Sequence, residues 1–317
     1  MCVATLLVLV LIPRHATRAD AQLLPDASAP PIALAAAALV LGVAVGFAVT
    51  FGIELHRPRV ADAAEAVRVT GVPTLASITP HGLEPLLARR AADRDLSPLI
   101  NPASDAYRRV FVQVSDPLGA NPLGFPLVAV TGDEAAIVAT VATNIAVAAI
   151  NDSRTALLID ADPDAGLVAG IAGVPRQPGV SDVLAGRLDW AAVTRSAGAG
   201  RGRTIDVIPA GHRDPRLSSG AGPVTAAPIE EIGRAELRAE LLRLGRRYEL
   251  IVVASPAGAP HVDTGSILPV SDAIVCARVA FTTLTRLAAS VAVLQDSGLR
   301  VRGVVLWDAD TPPRASD

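Results

Sequence analysis

The chain of 317 residues carries a formal net charge of −3 at pH 7, and its isoelectric point is near 6.0. Proteins that bind nucleic acid along their whole length are normally strongly basic, so this class is set aside. All 28 basic residues are arginine, which excludes chemistry that depends on lysine. The two cysteines, Cys2 and Cys276, are too few for a disulfide framework or a zinc site, and no metal centre is expected from them.

An apolar run near the N-terminus is long enough to cross a membrane. Residues 32–55 contain a single charge, Glu54, at the end of the run, and a helix of this length spans a hydrocarbon core of roughly 30 Å. The basic segment His56–Arg59 follows, so the positive-inside rule places the later residues in the cytoplasm. We therefore predict a single-pass protein of the cytoplasmic (inner) membrane, with a proline-containing linker at 1–31 before the helix.

Strand-like apolar runs alternate with helical stretches in the rest of the chain. This alternation is typical of a mostly parallel α/β sheet with helices on both faces. The predicted domain covers residues 105–310, with a juxtamembrane segment and linker at 56–104 and a tail at 311–317. Before it, we predict a helix over Ala61–Val69 and a strand over Leu75–Thr79. Within it, the predicted strands are Leu127–Thr131, Ala156–Ala161, Ile205–Pro209, Glu249–Ser255, Asp272–Arg278 and Val301–Trp307. The predicted helices are Glu134–Ile150, Asp189–Arg195, Ile229–Arg246 and Thr282–Asp296, and Gly198–Gly202 is predicted to be a flexible connector.

The stretch VAVTGDEAAIVAT, residues 128–140, has the strand, turn and helix of a phosphate-binding loop without its chemistry. Such a loop needs glycines so that backbone N–H groups face the phosphates, a lysine for the phosphate oxygens, and a hydroxyl for Mg²⁺. Counting G-x-x-x-x-G-K-S from Gly132 places Ile137 at the second glycine, Val138 at the lysine and Ala139 at the hydroxyl, with Thr140 next. The sequence predicts a degenerate loop that is poorly built for ATP.

Two acids follow the next predicted strand. Asp160 and Asp162 come at its carboxyl end, where ligands of open α/β sheets bind, and two carboxylates could hold hydrated Mg²⁺. The alternative is that they only cap the following turn. A third strand reaches the same edge at Ala254, where a nucleotide hydrolase or kinase usually has an acidic magnesium ligand. Without a phosphate partner, ATP and Mg²⁺ are expected only if this site still binds them.

From residue 32 onward the chain resembles the bacterial polysaccharide co-polymerase and tyrosine autokinase family. The order of matching pieces carries the resemblance: AAEAVRVTGVPTLASI at 63–78, DAYRR at 105–109, LLIDAD at 157–162, GVSDVLAGRLDWAAV at 179–193, TIDVIPAGHRDP at 204–215 and YELIVVASPAG at 248–258. Residues 1–16 also resemble the end of that family's periplasmic chain-length domain. The resemblance implies a cytoplasmic fold of the P-loop NTPase type and a role in polysaccharide assembly.

The departures from the family pattern fall on its chemistry. Val138, Ala139 and Ala254 stand at phosphate and magnesium positions, and Asp164 stands where an arginine follows the second aspartate motif. Asp105 and Arg108 match the segment that the family uses for ring assembly.

Three other positions also depart from the family pattern. Phe111 replaces a second arginine of the ring-assembly segment, and Trp307 replaces an asparagine near the adenine. The family's C-terminal tyrosine cluster is missing from TPPRASD, and Tyr107 and Tyr248 are the only tyrosines of the sequence.

Three functions stay open at this point. The first is a membrane-anchored, catalytically inactive kinase-like protein that regulates the chain length or export of an exopolysaccharide, capsule or lipopolysaccharide. Its expected partners are the membrane, the export or polymerase machinery, and an intact kinase or further copies of itself. The second is an active ATP-dependent tyrosine autokinase. The third is a membrane-tethered scaffold with no role in polysaccharide assembly.

Overall fold

The structure is a computed structural model, and it describes residues 36, 38–48, 58–79, 104–115, 126–200, 202–212, 239, 242, 243, 245–255 and 272–308. The predictions for residues 1–31, for the tail and for most of the linker at 80–104 lie outside this part of the chain. So does most of the helix predicted over Ile229–Arg246, of which Ala239, Leu242, Arg243 and Gly245 are helical. Two compact units divide the chain, residues 1–57 and 58–317.

The first unit is described only at residues 36 and 38–48, which are helical. Their large apolar side chains are exposed, with Phe47 at 73% and Leu39 at 69%. Across the described residues we find no helix that combines the length and the apolar character needed for a membrane span. The transmembrane helix expected at 32–55, half of which is described, stays a prediction.

The second unit contains eight strands and seven helices that the structure bounds completely. The strands are β1 (Thr74–Ile78), β2 (Leu127–Gly132), β3 (Ala156–Asp160), β4 (Arg195–Gly200), β5 (Arg203–Ile208), β6 (Leu250–Ala254), β7 (Asp272–Arg278) and β8 (Arg300–Trp307). The helices are α1 (Ala63–Thr70), α2 (Asp105–Ser115), α3 (Ala135–Asn151), α4 (Leu167–Ala172), α5 (Val180–Leu184), α6 (Trp190–Val193) and α7 (Leu284–Asp296).

All eight strands join one sheet in the order β1-β8-β7-β2-β6-β3-β5-β4. Every neighbouring pair is parallel except β4 and β5, which are antiparallel. Alternate residues of a strand point to opposite faces, and the core follows this rule. Val128 and Val130 of β2 join the cluster beneath α2, α3 and α4, whereas Leu127 joins the cluster that contains Trp190 of α6. The predicted mostly parallel sheet with helices on both faces is confirmed.

Helix α3 is the most deeply buried helix among the described elements. Its residues from Ile137 to Ala149 are all buried, in contact with α2, α4 and the central strands. A helix that is apolar all round needs such a position, because any exposed face would leave apolar surface in water.

The prediction for residues 189–202 is partly wrong. The helix predicted over Asp189–Arg195 ends at Val193, and Arg195 already begins β4. Gly198 and Gly200, predicted to lie in a flexible connector, belong to this strand. Its inward positions are the small residues Ala197 and Ala199, which are buried without giving the bulky β-branched pattern that marks most strands. Gly200 and Gly202 have φ of 81° and 73°, which suits glycine at the turn into β5.

Candidate functional site

The carboxyl ends of β2, β6 and β3 lie side by side at the centre of the sheet. Ala254 of β6 is in register with Val130 of β2 on one side and Asp160 of β3 on the other. Above them is a hollow of about 180 Å³, counted out to open solvent, which we call the edge hollow. It is lined by Ala135, Val138, Ala139, Asp160, Asp162, Ala165, Leu167, Ala254 and Ser255.

The edge hollow unites most of the predicted site residues but not all of them. Val138, Ala139, Asp160, Asp162 and Ala254 share it, although they come from three segments of the chain. Ile137 and Thr140 do not line it. Both are 2% exposed, and the Thr140 hydroxyl donates a hydrogen bond of 2.7 Å to the Ala136 carbonyl within α3.

The junction between β2 and α3 is too short to form a phosphate loop. Gly132 ends the strand and Ala135 begins the helix, so only Asp133 and Glu134 lie between them. Counted from Gly132, the helix therefore begins at the fourth position of the G-x-x-x-x-G-K-S pattern. The Val138 amide, at the lysine position, donates to the Glu134 carbonyl at 3.1 Å as part of the helix. The N–H group at the lysine position, which a phosphate nest would turn inward, is thus used by the helix itself.

Gly132 has a packing role at this junction. A Cβ atom built on Gly132 would lie 2.6 Å from the backbone oxygen of Cys276 in the neighbouring strand β7. No side chain fits at this distance, so β2 can approach β7 here only with glycine. Cys276 itself is 4% exposed, and burial raises the pKa of its thiol well above the ordinary range, as expected of an inert core cysteine.

Both acids of the junction are paired with arginines from the β7–α7 region. The Asp133 carboxylate lies 2.6 Å from Arg286 Nε, and the Glu134 carboxylate lies 3.4 Å from Arg278 Nη1. The Arg278 side chain is only 18% exposed and its guanidinium lies 3.7 Å from the centroid of the Phe281 ring. Negative charge at the start of α3 is therefore already balanced from within the chain.

Asp160 is almost completely buried, at 1% exposure. Its Oδ1 accepts a hydrogen bond from the Asp162 amide at 3.1 Å, and its Oδ2 accepts one from the Val168 amide at 3.2 Å. Burial raises the pKa of this carboxyl to about 7, although the two amide bonds oppose the shift. Both oxygens of this buried carboxyl are thus already bonded to amides of the chain.

Asp162 has a similar capping role at the surface of the same loop. Its Oδ1 accepts from the Asp164 amide at 3.1 Å and from the Ala165 amide at 2.9 Å, the pattern of an aspartate that closes a turn. The turn-capping interpretation therefore accounts for both acids. Within the described ranges, no three His, Cys, Asp or Glu side chains come close enough together to hold a metal ion.

Arg176 organises this loop and was missed by the sequence reasoning. Its Nη2 donates to the Pro163 carbonyl at 2.6 Å, and its Nε donates to the Gly211 carbonyl at 3.2 Å. The guanidinium lies against Gly166, where a Cβ would be 2.4 Å from it. The resemblance placed an arginine at position 164 instead, and nothing in the local sequence connects Arg176 with residues ten or more positions away.

The residues matched to the ring-assembly segment lie on α2. Asp105 and Arg108 are exposed, and Arg108 Nη2 lies 3.8 Å from Asp152 at the end of α3. Phe111, at the family's second arginine, is 3% exposed in the core beneath this helix. Only part of that segment is therefore available for a contact between chains.

Comparison with solved structures defines the class of the fold. The kinase domain of the Escherichia coli tyrosine kinase ETK superposes with a TM-score of 0.60 at 20% identity, covering 81% of this chain and 98% of that domain. The BceF tyrosine kinase domain gives a TM-score of 0.60 at 17% identity, covering 79% of this chain and 99% of that domain. The chimerical protein CapA2B2 gives 0.57 at 17% identity, covering 80% and 100%. The second unit therefore has the fold of bacterial tyrosine kinase domains.

Sequence comparison points to the same group. Tyrosine-protein kinase wzc of Salmonella typhi is 26% identical over 168 residues, which is 52% of this chain and 21% of that kinase. The wzc of Salmonella typhimurium is 27% identical over 177 residues, which is again 52% of this chain and 21% of that kinase. No family model matches the chain. The chain is thus similar to wzc over about half of its own length, and the match spans about a fifth of the length of these kinases.

Proposed function

We propose that this chain is a membrane-anchored, catalytically inactive member of the polysaccharide-assembly tyrosine kinases, and that it regulates the chain length or export of a surface polysaccharide through protein contacts. The observation that carries the proposal is the start of α3 at Ala135. It leaves no loop to surround phosphates, and it buries Val138 and Ala139 where a lysine and a hydroxyl would be needed. The residues present do not fit Mg-ATP.

The tyrosines support the same proposal. An autokinase of this type needs tyrosine acceptors on its own chain, and this sequence has only Tyr107 and Tyr248. Tyr107 is 4% exposed in the core. Tyr248 is partly buried, its hydroxyl donates to Asp206 Oδ2 at 2.7 Å, and burial together with this bond raises its pKa. Neither hydroxyl is presented to a kinase site.

Membrane attachment is the second part of the proposal. It rests on the apolar run at 32–55, the basic residues that follow it, and the sequence relation to wzc. We infer a single pass through the inner membrane, with the second unit in the cytoplasm. The partners inferred are the export or polymerase machinery, and an intact kinase or further copies of this chain that contact Asp105 and Arg108.

Nucleotide binding tests the loss of catalysis. The purified full chain in detergent is titrated with Mg-ATP by calorimetry and then incubated with Mg-ATP and probed for phosphotyrosine, with an intact wzc as the positive control. We expect neither binding nor phosphotyrosine from this chain. Saturable binding at micromolar nucleotide together with phosphotyrosine would show that it is an active kinase.

Deletion of the gene tests the role in polysaccharide assembly. We expect the length distribution or yield of the surface polysaccharide to change, and to be restored by the wild-type gene. The variant Asp162→Asn, which keeps an oxygen for the turn but removes the carboxylate, should restore it equally well. An unchanged polymer in the deletion strain would favour a scaffold with another role.

A further inference from the structure

The loop that leaves β3 forms one wall of the edge hollow. Residues 161–166, which we call the β3 loop, connect β3 to α4, and Asp162 and Ala165 of this loop line the hollow. The lining also contains buried apolar residues, among them Val138 and Ala254 at 2% and 3% exposure. Movement of the β3 loop therefore decides how far solvent reaches this apolar lining.

The neighbouring loop after β5 is held in place by backbone hydrogen bonds. Residues 209–211, which we call the β5 loop, accept or donate three such bonds with the segment at 176–181. They run from the Val180 amide to the Pro209 carbonyl at 2.8 Å, from the Ser181 amide to the Ala210 carbonyl at 3.0 Å, and from the Gly211 amide to the Arg176 carbonyl at 3.1 Å. The β5 loop and the segment at 176–181 are thus fixed to each other without any side chain.

The Arg176 side chain extends from this fixed segment to the β3 loop. Its Nε donates to the Gly211 carbonyl at 3.2 Å, and its Nη2 donates to the Pro163 carbonyl at 2.6 Å. The guanidinium also fills the space beside Gly166, where a Cβ atom would lie 2.5 Å from Nε and 2.7 Å from Nη2. Because the guanidinium is planar and has donors on several sides, one side chain joins both loops.

The hydrogen bonds inside the β3 loop have a different role. The Asp162 amide donates to Asp160 Oδ1, the Ala165 amide donates to Asp162 Oδ1, and the Gly166 amide donates to the Asp162 carbonyl. These bonds close the turn on itself and on the end of β3. They do not connect the turn to the β5 loop, whereas the Arg176 guanidinium does.

We propose that the β3 loop is a lid over the edge hollow and that Arg176 is the latch that holds this lid to the fixed β5 loop. Loss of the bond to Pro163 opens the lid, while the segment at 176–181 stays in place. The lid is thus closed by a contact within the chain and requires no ligand. The proposal is independent of the proposed function, since it concerns the loop with or without nucleotide.

Two variants break the latch from opposite sides. Arg176→Gln removes the guanidinium, and Gly166→Ala places a methyl group where the guanidinium lies. Gly173→Ala is the matched control for the second variant, because Gly173 has a similar left-handed φ of 65° against 55° but no atom within 4 Å of the added carbon. Arg195→Gln is the control for the first, because Arg195 also donates to two carbonyls, those of Ala192 and Thr194, but both belong to its own segment.

Hydrogen exchange of the full chain in detergent measures the opening. Hydrogen bonds from a charged donor are among the stronger ones, so the β3-loop amides at 162 and 165 should exchange roughly 10–100-fold faster in both latch variants than in wild type. The amides at 180, 181 and 211 should keep their wild-type rates, because backbone bonds hold them. Neither control variant should change the β3-loop rates.

Three results overturn the latch. Unchanged β3-loop rates in Arg176→Gln show that the guanidinium does not hold the lid. An equal rise at 180, 181 and 211 shows that Arg176 only stabilises the region as a whole. An equal rise in Gly173→Ala or Arg195→Gln shows that backbone strain, or the loss of any arginine on this scale, opens the loop. Mg-ATP binding by the wild-type chain would refute the proposed function and leave the latch standing.

Thiol labelling gives a second measurement at the hollow itself. Ala254→Cys, in a Cys2→Ser background, places a thiol in the buried lining, and the same chain without this substitution gives the rate of the buried Cys276. Adding Arg176→Gln should speed alkylation of the new thiol by the same factor of roughly 10–100, because the reagent reaches it only through the open lid. Equal rates with and without Arg176 would contradict a lid over the hollow.

Discussion

Two strand-to-helix connections lie on either side of β6 at the carboxyl edge of the sheet, and their residues differ in what they could offer a ligand. After β2, the helix begins at once and the expected cation and hydroxyl positions are the buried Val138 and Ala139. After β3, both acids are present, but their oxygens accept backbone amides of their own loop. A residue that matches a motif can therefore be present because it stabilises the local fold and not because it binds a ligand. Only the contacts of its side chain distinguish these two roles.

The largest expected effect concerns the buried acid of the β3 loop. Its folded pKa of about 7 exceeds the ordinary 3.8, so the folded state keeps the Asp160 proton to higher pH than the unfolded state. The stabilisation is complete below pH 4 and is lost as the pH rises through 7, a change on the order of 4 kcal/mol. Urea unfolding gives the free energy of unfolding of wild type and of Asp160→Asn at each pH. The difference between these two free energies should show the change, because the contributions of the other titrating groups cancel in it.

Val168→Ala is the control for this measurement. It removes a buried side chain beside Asp160 but no titrating group, so its cost should be the same at pH 4.5 and pH 8. A difference between wild type and Asp160→Asn that is equally independent of pH would mean that the carboxyl is ionised throughout.

Restoring the motif residues of the other connection should not restore a phosphate site. Val138→Lys with Ala139→Ser places a charge and a hydroxyl in α3 at positions 2% and 4% exposed, and we expect a loss of about 3 kcal/mol in the free energy of unfolding. Calorimetry should detect no Mg-ATP binding, because the helix still begins at Ala135. Val138→Met, which keeps the site apolar, should cost much less. A stable double variant that binds nucleotide would show that the junction can reopen into a loop.

Gly132 at the end of β2 offers a comparison with a smaller expected loss of stability and a closely matched control. Gly132→Ala forces a Cβ to within 2.6 Å of the Cys276 oxygen and should lower the free energy of unfolding by about 2 kcal/mol. Gly198→Ala has no atom within 4 Å of the added carbon and should be nearly neutral. Thermal unfolding of the two variants gives the contrast directly. Equal stabilities would remove the packing explanation for Gly132.

The smallest expected effect is a difference in stability between variants of Arg278 and Arg286, the two arginines that pair with the acids of the β2–α3 junction. Arg278→Met removes the ion pair with Glu134 and the stack on Phe281, and should cost about 1 kcal/mol because this side chain is only 18% exposed. Arg286 is 57% exposed, so Arg286→Met should cost less than half as much. Urea midpoints measure both. The reverse order would place the main electrostatic contact at Asp133.

Long apolar elements were predictable from the sequence because their burial leaves a direct pattern. The strands at 127–132, 156–160, 250–254 and 272–278 match their predictions within one residue at each end, and so does α3. Short elements such as α4 and α5 were not predicted, since five or six residues show too little periodicity. Strand β4 was missed because alanines and glycines supply its buried face.

The composition of the site was predictable, but its electrostatics were not. The carboxyl ends of parallel strands meet at one edge, which is why Val138, Asp160 and Ala254 could be placed together from strand assignments alone. Arg278 and Arg286 lie more than 140 residues after the acids that they pair with. Such contacts depend on the order of strands in the sheet, and the alternation of elements does not determine that order.

The positions of the two tyrosines have a practical consequence for work on mixtures. If an intact kinase acts beside this chain, both proteins will be present in the same sample. With Tyr107 in the core and Tyr248 bonded to Asp206, the native chain should stay unlabelled by phosphotyrosine antibodies. Label gained when the two are combined can then be assigned to the kinase, and any effect of this chain on it would be read from the kinase alone.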